Sequence, residues 1–293
     1  MRKFLFLLIA VFLLSSCGTP KQITELNTEA YRLAAESNTQ GALQRTEDII
    51  AFYESKHKVA SDSTYAFAGE LALKSGNNDK ALTYLNKAIE NGNSRPETYY
   101  NISQAYKRSN NLSYEISSLE KFLEKFPDNE LKNSAQKKLM TAYIESENWT
   151  KAENLWKNID DSQKSDAGLL EDYVILQNNL ENPEEAYNYA AKLFAADQKN
   201  STALFTLGSH YYNKAENLYN TEMAAYEKHK TRRQYAYLVD QLKIATKDYQ
   251  TAKKYFEKLY KLNPQKEYAG YLANINARLN NKKQADYYRN LAK

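Results

Sequence analysis

The stretch whose reading decides the fold is "DSTYAFAGELALKSGNNDKALTYLNKAIENGNSR", residues 62–95. It falls into two helical runs around a polar turn, "SGNND" at 75–79, whose Ser, Gly and Asn are the residues that leave a helix and start another. A small residue, Ala81, stands one turn into the second run, followed by Leu85 and Ala88. A small side chain there lets two helices approach closely, and the bulkier ones fill the space beyond it.

The same 34-residue layout returns three times, with one three-residue insertion. The later blocks begin at Pro96, Asn133 and Ala167, and their turns are "SNNLS", "SENWT" and "ENPEE". Pro183 in the last of these suits the first turn of a helix. The small site is repeated as Ala152 and Ala186, followed by Trp156 with Ile159 and by Ala190 with Leu193. Eight Gly and five Pro in 293 residues agree with a mostly helical chain. The expected fold class is all-α.

Tyr99, Ile102, Ser103, Tyr106, Leu119, Phe122 and Pro127 in the second block, and Leu204, Leu207, Gly208 and Tyr211 after the fourth, resemble the tetratricopeptide repeat. Glu115 departs from that pattern, because it takes the small site of its block. The resemblance implies a right-handed α-α solenoid of helix pairs over residues 60–293. It also implies a concave groove lined from the first helices. Carried onto this chain, that groove includes Tyr100, Gln104, Lys107, Lys137, Thr141, Glu171, Phe205, Ser209 and Tyr212. The set does not reproduce the basic clamp with which some members of the family hold a C-terminal carboxylate.

The fifth block is stretched. Between Gly208 and Pro264 there is neither Gly nor Pro, and two apolar stripes persist: Leu204, Gly208, Tyr211, Ala215 and Leu218, then Tyr235, Leu238, Leu242, Ala245, Tyr249, Ala252, Phe256 and Leu259. An elongated antiparallel hairpin over about 201–264 is expected, with a basic tip at Lys228, Lys230, Arg232 and Arg233. That cluster reads either as a solvated turn or as a contact for lipid phosphates, lipopolysaccharide or an acidic partner. Residues 266–293 read as capping helices, with Ala285 at the small site and with Asn276, Arg278, Lys282 and Lys283 turned to water. Residues 24–59 read as a looser helix pair, a cap or a degenerate repeat.

The chain opens differently. Phe4 to Leu14 is an apolar run of 11 residues behind Arg2 and Lys3. As a helix it would span about 16 Å, against about 30 Å of bilayer core. It reads as a signal peptide, residues 1–16. "LSSC", Leu14 to Cys17, resembles the bacterial lipobox, and Cys17 is the only cysteine. The resemblance implies a lipid (diacylglyceryl and acyl chains, palmitate among them) on Cys17 and a tether over 17–23. Several chains anchor a protein where one does so only marginally. Gly18, in place of the aspartate of enteric retention signals, points to the outer membrane, and "GTPKQITE" after the cysteine, without the acidic tract that some lineages use for surface export, points to its periplasmic face.

Catalytic sets are missing from the sequence. His57, His210 and His229 are not at metal-ligand spacing, and there is no phosphate loop or nucleophile elbow. Without Arg2 and Lys3, 38 basic residues face 36 acidic ones, a balance of +2 that leaves no nucleic-acid footprint. The expectation is a non-enzymatic scaffold in the cell envelope that binds protein partners. It uses no cofactor, metal, nucleic acid or small-molecule substrate. Outer-membrane protein assembly and secretion are both compatible with it. A glycan-binding or nutrient-uptake accessory lipoprotein is the alternative, and a cell-wall enzyme a more distant one.

Overall fold

The computed structural model describes residues 19–293. The expected signal peptide and the expected lipid site at Cys17 lie outside the described residues. From Thr19 onward the chain is all-α, with fourteen helices and no strand among the described residues. None of these helices is long and apolar enough to cross a membrane.

The described residues form two compact units, divided between Ala142 and Tyr143. The first contains α1 (Thr19–Ala35), α2 (Thr39–Ser55), α3 (Asp62–Lys74), α4 (Asn78–Glu90), α5 (Pro96–Arg108), α6 (Leu112–Lys125) and most of α7 (Lys132–Glu145). Helix α1 begins at Thr19, so residues 19–23 of the expected tether are helical. The second unit contains α8 (Trp149–Asn158), α9 (Ala167–Asn179), α10 (Pro183–Ala196), α11 (Ser201–Lys228), α12 (Arg232–Leu262), α13 (Lys266–Arg278) and α14 (Lys282–Leu291).

The turns explain why the helices stop where they do. Ser37, Gly76, Asn110, Glu147, Glu181 and Asn280 all have positive φ, between 53° and 81°. Each is followed by an asparagine: Asn38, Asn77, Asn111, Asn148, Asn182 and Asn281. The amide of each asparagine donates to a carbonyl five residues back, as in Asn77 to Ala72 at 2.9 Å and Asn281 to Asn276 at 2.8 Å. This closes the finished helix by a Schellman motif, while the same asparagine takes the N-cap position of the next one, with a capping side-chain hydrogen bond at Asn38, Asn77 and Asn111. The Asn77 side chain accepts from the Lys80 amide at 3.1 Å. Asn77→Ala is therefore expected to cost about 1 kcal/mol. Urea denaturation of the pair of proteins checks this, and an unchanged midpoint would remove the cap from the account.

Packing within the pairs follows the expected small sites. Ala81, Ala152, Ala186 and Ala252 are fully buried and Ala285 nearly so. Gly69 and Gly208 hold the same place in their blocks and serve one purpose. A Cβ on Gly69 would lie 2.6 Å from the Leu85 side chain, and one on Gly208 would lie 3.0 Å from the Phe256 ring. In these two pairs the second helix rests against bare backbone.

Helices α11 and α12 form the elongated hairpin, joined through His229–Thr231. Leu204, Ala215, Ala245, Tyr249, Ala252, Phe256 and Leu259 build its core, completed by Leu272 and Ile275 of α13. Tyr235, expected on the seam, is instead 55% exposed. Its ring leans on Tyr226 across the tip at 5.7 Å, so the seam ends at Leu238.

Candidate functional site

The strongest concentration of aromatic and polar groups lies in the second unit, where the hairpin base meets α13. Phe205, Ser209, Tyr212, Glu216 and Tyr219 are spaced by three and four on α11 and so share one face. The Phe205 ring lies 6.0 Å from Tyr268 and 5.9 Å from Tyr271 of α13. Tyr212 meets Tyr271 edge-on at 5.1 Å, and Tyr271 stacks on Phe256 at 4.3 Å.

One turn beyond Tyr212 the aromatic face gives way to an ion pair. Arg278 donates from Nε and Nη2 to the two Glu216 oxygens, at 2.9 and 2.8 Å. Tyr249 Oη of α12 donates to Glu216 Oε1 at 2.7 Å. The guanidinium lies over the Tyr219 ring, 3.9 Å from its centre. A two-pronged Arg–carboxylate contact fixes orientation as well as distance, so these groups latch both hairpin helices to α13. Above the latch opens a cleft of about 690 Å³, walled by Tyr212, Tyr219, Leu242, Thr246 and Asn274.

The charges are mutually adjusted. Burial alone would raise the Glu216 carboxyl, but hydrogen bonds from Arg278 and Tyr249 outweigh it and hold the group below its ordinary range. The hydrogen bond to Glu216 raises Arg278 further above its already high value. Burial, then Glu216, pushes the Tyr249 phenol up. A carboxylate with a depressed folded pKa stabilises above its unfolded value, about 4.3, and that stabilisation is lost as pH falls through the folded value. The stability gap between the wild type and Glu216→Gln should therefore shrink as pH is lowered from about 5 through that window. A gap independent of pH would detach the latch from Glu216 ionisation.

The expected groove residues divide between the units. In the first, Tyr100 is half-buried, its hydroxyl 2.7 Å from Ser134 Oγ and its ring against Phe122. Gln104 donates to Ser103 at 3.3 Å. Lys107 extends to Glu115, 3.7 Å away, and Glu115 is only 2% exposed. The Lys137 carbonyl accepts from Thr141 Oγ1 at 3.3 Å. In the second unit, Glu171 accepts from Thr202 of α11 at 2.8 Å. Ser209 Oγ is buried and has no hydrogen-bond partner among the described residues. Phe205, Ser209 and Tyr212 thus come together on one face, which also carries the latch.

Two expectations for the capping pair are corrected. Asn276 does not face water. It is fully buried, accepts from Lys253 Nζ at 2.9 Å and donates to the Leu272 carbonyl at 2.7 Å. Arg278 is held by Glu216. The sequence reasoning missed Glu216 and Tyr219, although both continue the 205, 209, 212 spacing. At the hairpin tip, Lys228, Arg232 and Arg233 are exposed, and Lys230 pairs with Glu227 at 2.7 Å. Burial pushes His210 below its ordinary value, and its ring stacks on Tyr187 at 4.1 Å. Among the described residues no group of three or more His, Cys, Asp or Glu is placed to hold a metal ion.

A family model for the tetratricopeptide repeat matches residues 62–91 and 241–266. Among solved structures, the C-terminal part of a TPR repeat-containing protein from Cytophaga hutchinsonii is 11% identical, with a TM-score of 0.60 over 90% of this chain and 92% of that one. A tetratricopeptide repeat protein from Parabacteroides merdae is 14% identical, with a TM-score of 0.52 over 90% of this chain and 99% of that one. YrrB, described as a TPR protein with an unusual peptide-binding site, is 16% identical, with a TM-score of 0.53 over 64% of this chain and 95% of that one. These likenesses concern the fold. No curated protein sequence matches the chain.

Proposed function

From a chain that is a tetratricopeptide-repeat protein, we infer a scaffold that works by holding another protein in the cleft at the base of its hairpin. The observation that carries this is the cleft itself. It sets tyrosine rings beside polar groups whose positions are fixed by the Glu216–Arg278 latch. Rigid aromatic side chains around a concave surface lose little entropy when a peptide binds, and such residues dominate binding energies at protein interfaces. In this reading the activity is positioning.

We place this scaffold in the cell envelope, at the periplasmic face of the outer membrane, held there by lipid on Cys17. The support is the "LSSC" sequence behind a short apolar run, with Gly18 after the cysteine. An anchor of this kind confines the scaffold and its partner to one surface and raises their effective concentration. Outer-membrane protein assembly and secretion are the processes such a scaffold suits.

The test is capture from detergent-solubilised envelopes, with mass spectrometry of what is retained. A stoichiometric protein partner is expected, and its retention should fall at least tenfold with Tyr212→Ala, since loss of an interface aromatic commonly costs more than about 1.4 kcal/mol. Unchanged capture by Tyr212→Ala would move the site elsewhere. Retention of glycan with no protein would replace the scaffold by a carbohydrate binder. Radiolabelled palmitate should enter the wild type and not Cys17→Ser.

A further inference from the structure

The hairpin tip has an electrostatic arrangement that the fold does not require. Helix α11 has 28 residues and α12 has 31, whereas α9 and α13 have 13 each. The 15 additional residues of α11 carry the tip about 22 Å beyond the length of an ordinary first helix. Lys228, Lys230, Arg232 and Arg233 are gathered there within six residues. Lys230 is neutralised by Glu227. Lys228, Arg232 and Arg233 have no ion-pair partner among the described residues.

Two of these cations are also placed against the helix field. Arg232 and Arg233 are the first two residues of α12, which has no acidic residue in its first turn. The start of a helix carries partial positive charge and favours anions. Both arginines therefore raise the energy of the isolated tip, and a negative surface brought against it relieves their mutual repulsion and the clash with the dipole together.

The neighbouring side chains indicate which negative surface. Tyr237, four residues after Arg233 and so on the same face of α12, is 51% exposed, whereas Tyr235, 55% exposed, lies on the opposite side with its ring on Tyr226. Ile244, two turns past Tyr237 on the same face, is 46% exposed. Exposed tyrosine beside basic residues, with an aliphatic side chain farther along, is the composition that settles at a lipid–water boundary: rings at headgroup level, cations on phosphates. The overall charge is close to balanced, so no basic stripe leads from the tip to track a nucleic-acid backbone, and the exposed ring and aliphatic side chain favour a lipid surface.

We propose that the hairpin tip is a membrane-docking site that takes the phosphate headgroups of anionic phospholipids, with Lys228, Arg232 and Arg233 as the phosphate contacts and Tyr237 as the interfacial anchor. The site is separate from the cleft at the hairpin base and from any lipid on Cys17. It orients the protein at a membrane surface.

The experiment is vesicle sedimentation of the full chain in a Cys17→Ser background. Vesicles of pure phosphatidylcholine are compared with vesicles containing about 30 mol% phosphatidylglycerol, a fraction on the order of that in anionic bilayers. Each basic residue at such a surface contributes about fivefold in partitioning. The variant Lys228→Gln/Arg232→Gln/Arg233→Gln should therefore lose on the order of a hundredfold on phosphatidylglycerol and nothing on phosphatidylcholine. A control variant, Lys199→Gln/Lys282→Gln/Lys283→Gln, removes the same charge elsewhere and should bind as the wild type does. The tip variant should melt at or above the wild-type temperature, because the cations opposing the α12 dipole are gone. Equal sedimentation of wild type and tip variant on phosphatidylglycerol overturns the proposal. So does an equal loss in the control variant, or a tip-dependent preference for single-stranded DNA or polyglutamate over vesicles.

Discussion

Phe256→Ala is expected to lower the free energy of unfolding by about 3–5 kcal/mol, the largest single effect among these substitutions. The ring is fully buried, stacks on Tyr271 at 4.3 Å and meets Phe205 edge-on at 6.1 Å. Its other side rests on Gly208, which has no side chain to move into the space. A cavity bounded by backbone relaxes poorly, so the cost should approach the upper part of the range. Phe256→Leu keeps most of the volume and should lose roughly 1.5 kcal/mol or less. Guanidinium denaturation of both variants provides the check. Similar losses in the two would mean that ring contacts, and not cavity volume, set the energy.

The second large effect separates two residues that look equivalent on paper. Glu115 takes the small site that alanine fills in the other blocks, and its carboxylate lies 3.7 Å from Lys107. Breaking such a pair from the basic side leaves a buried carboxylate without that cation, whereas breaking it from the acidic side removes the group whose burial is costly. Lys107→Ala should therefore cost about 2 kcal/mol, a buried-pair penalty reduced because the lysine is partly in water. Glu115→Ala should cost less than half as much, and the alanine restores the pattern of the neighbouring pairs. Thermal melts of the two single variants and the double variant test this. A greater loss in Glu115→Ala than in Lys107→Ala would reverse the assignment.

Most of the fold was legible in the sequence because repeat packing is local. A turn of Asn and Ser, an alanine one turn later and a bulky residue after it specify a helix pair without reference to distant residues, and Ala81, Ala152 and Ala186 are buried as that spacing requires. The hairpin was legible for the same reason, since the stripe from Leu238 to Leu259 persists without interruption. The latch was not. Arg278 looks like a water-facing residue until α13 is set beside Glu216, which stands 62 positions earlier in the chain. Asn276 was misread on similar grounds, because Lys253 supplies its hydrogen bond from another helix. The lysine that seemed to line a groove proved to have a buried carboxylate beside it. Polar side chains were hard to place because their partners stand on other helices, whether in the same pair, as Glu115 for Lys107, or farther along the chain, as Glu216 for Arg278.

The hairpin core is completed by Leu272 and Ile275, which lie beyond its second helix. The cover over the hairpin is therefore borrowed from outside it. A fragment ending at Pro264 would keep the α11–α12 seam but leave Phe256 and Leu259 without Leu272 and Ile275, an open apolar face that favours self-association. The closing helix pair thus sets the solubility of the hairpin as well as its position.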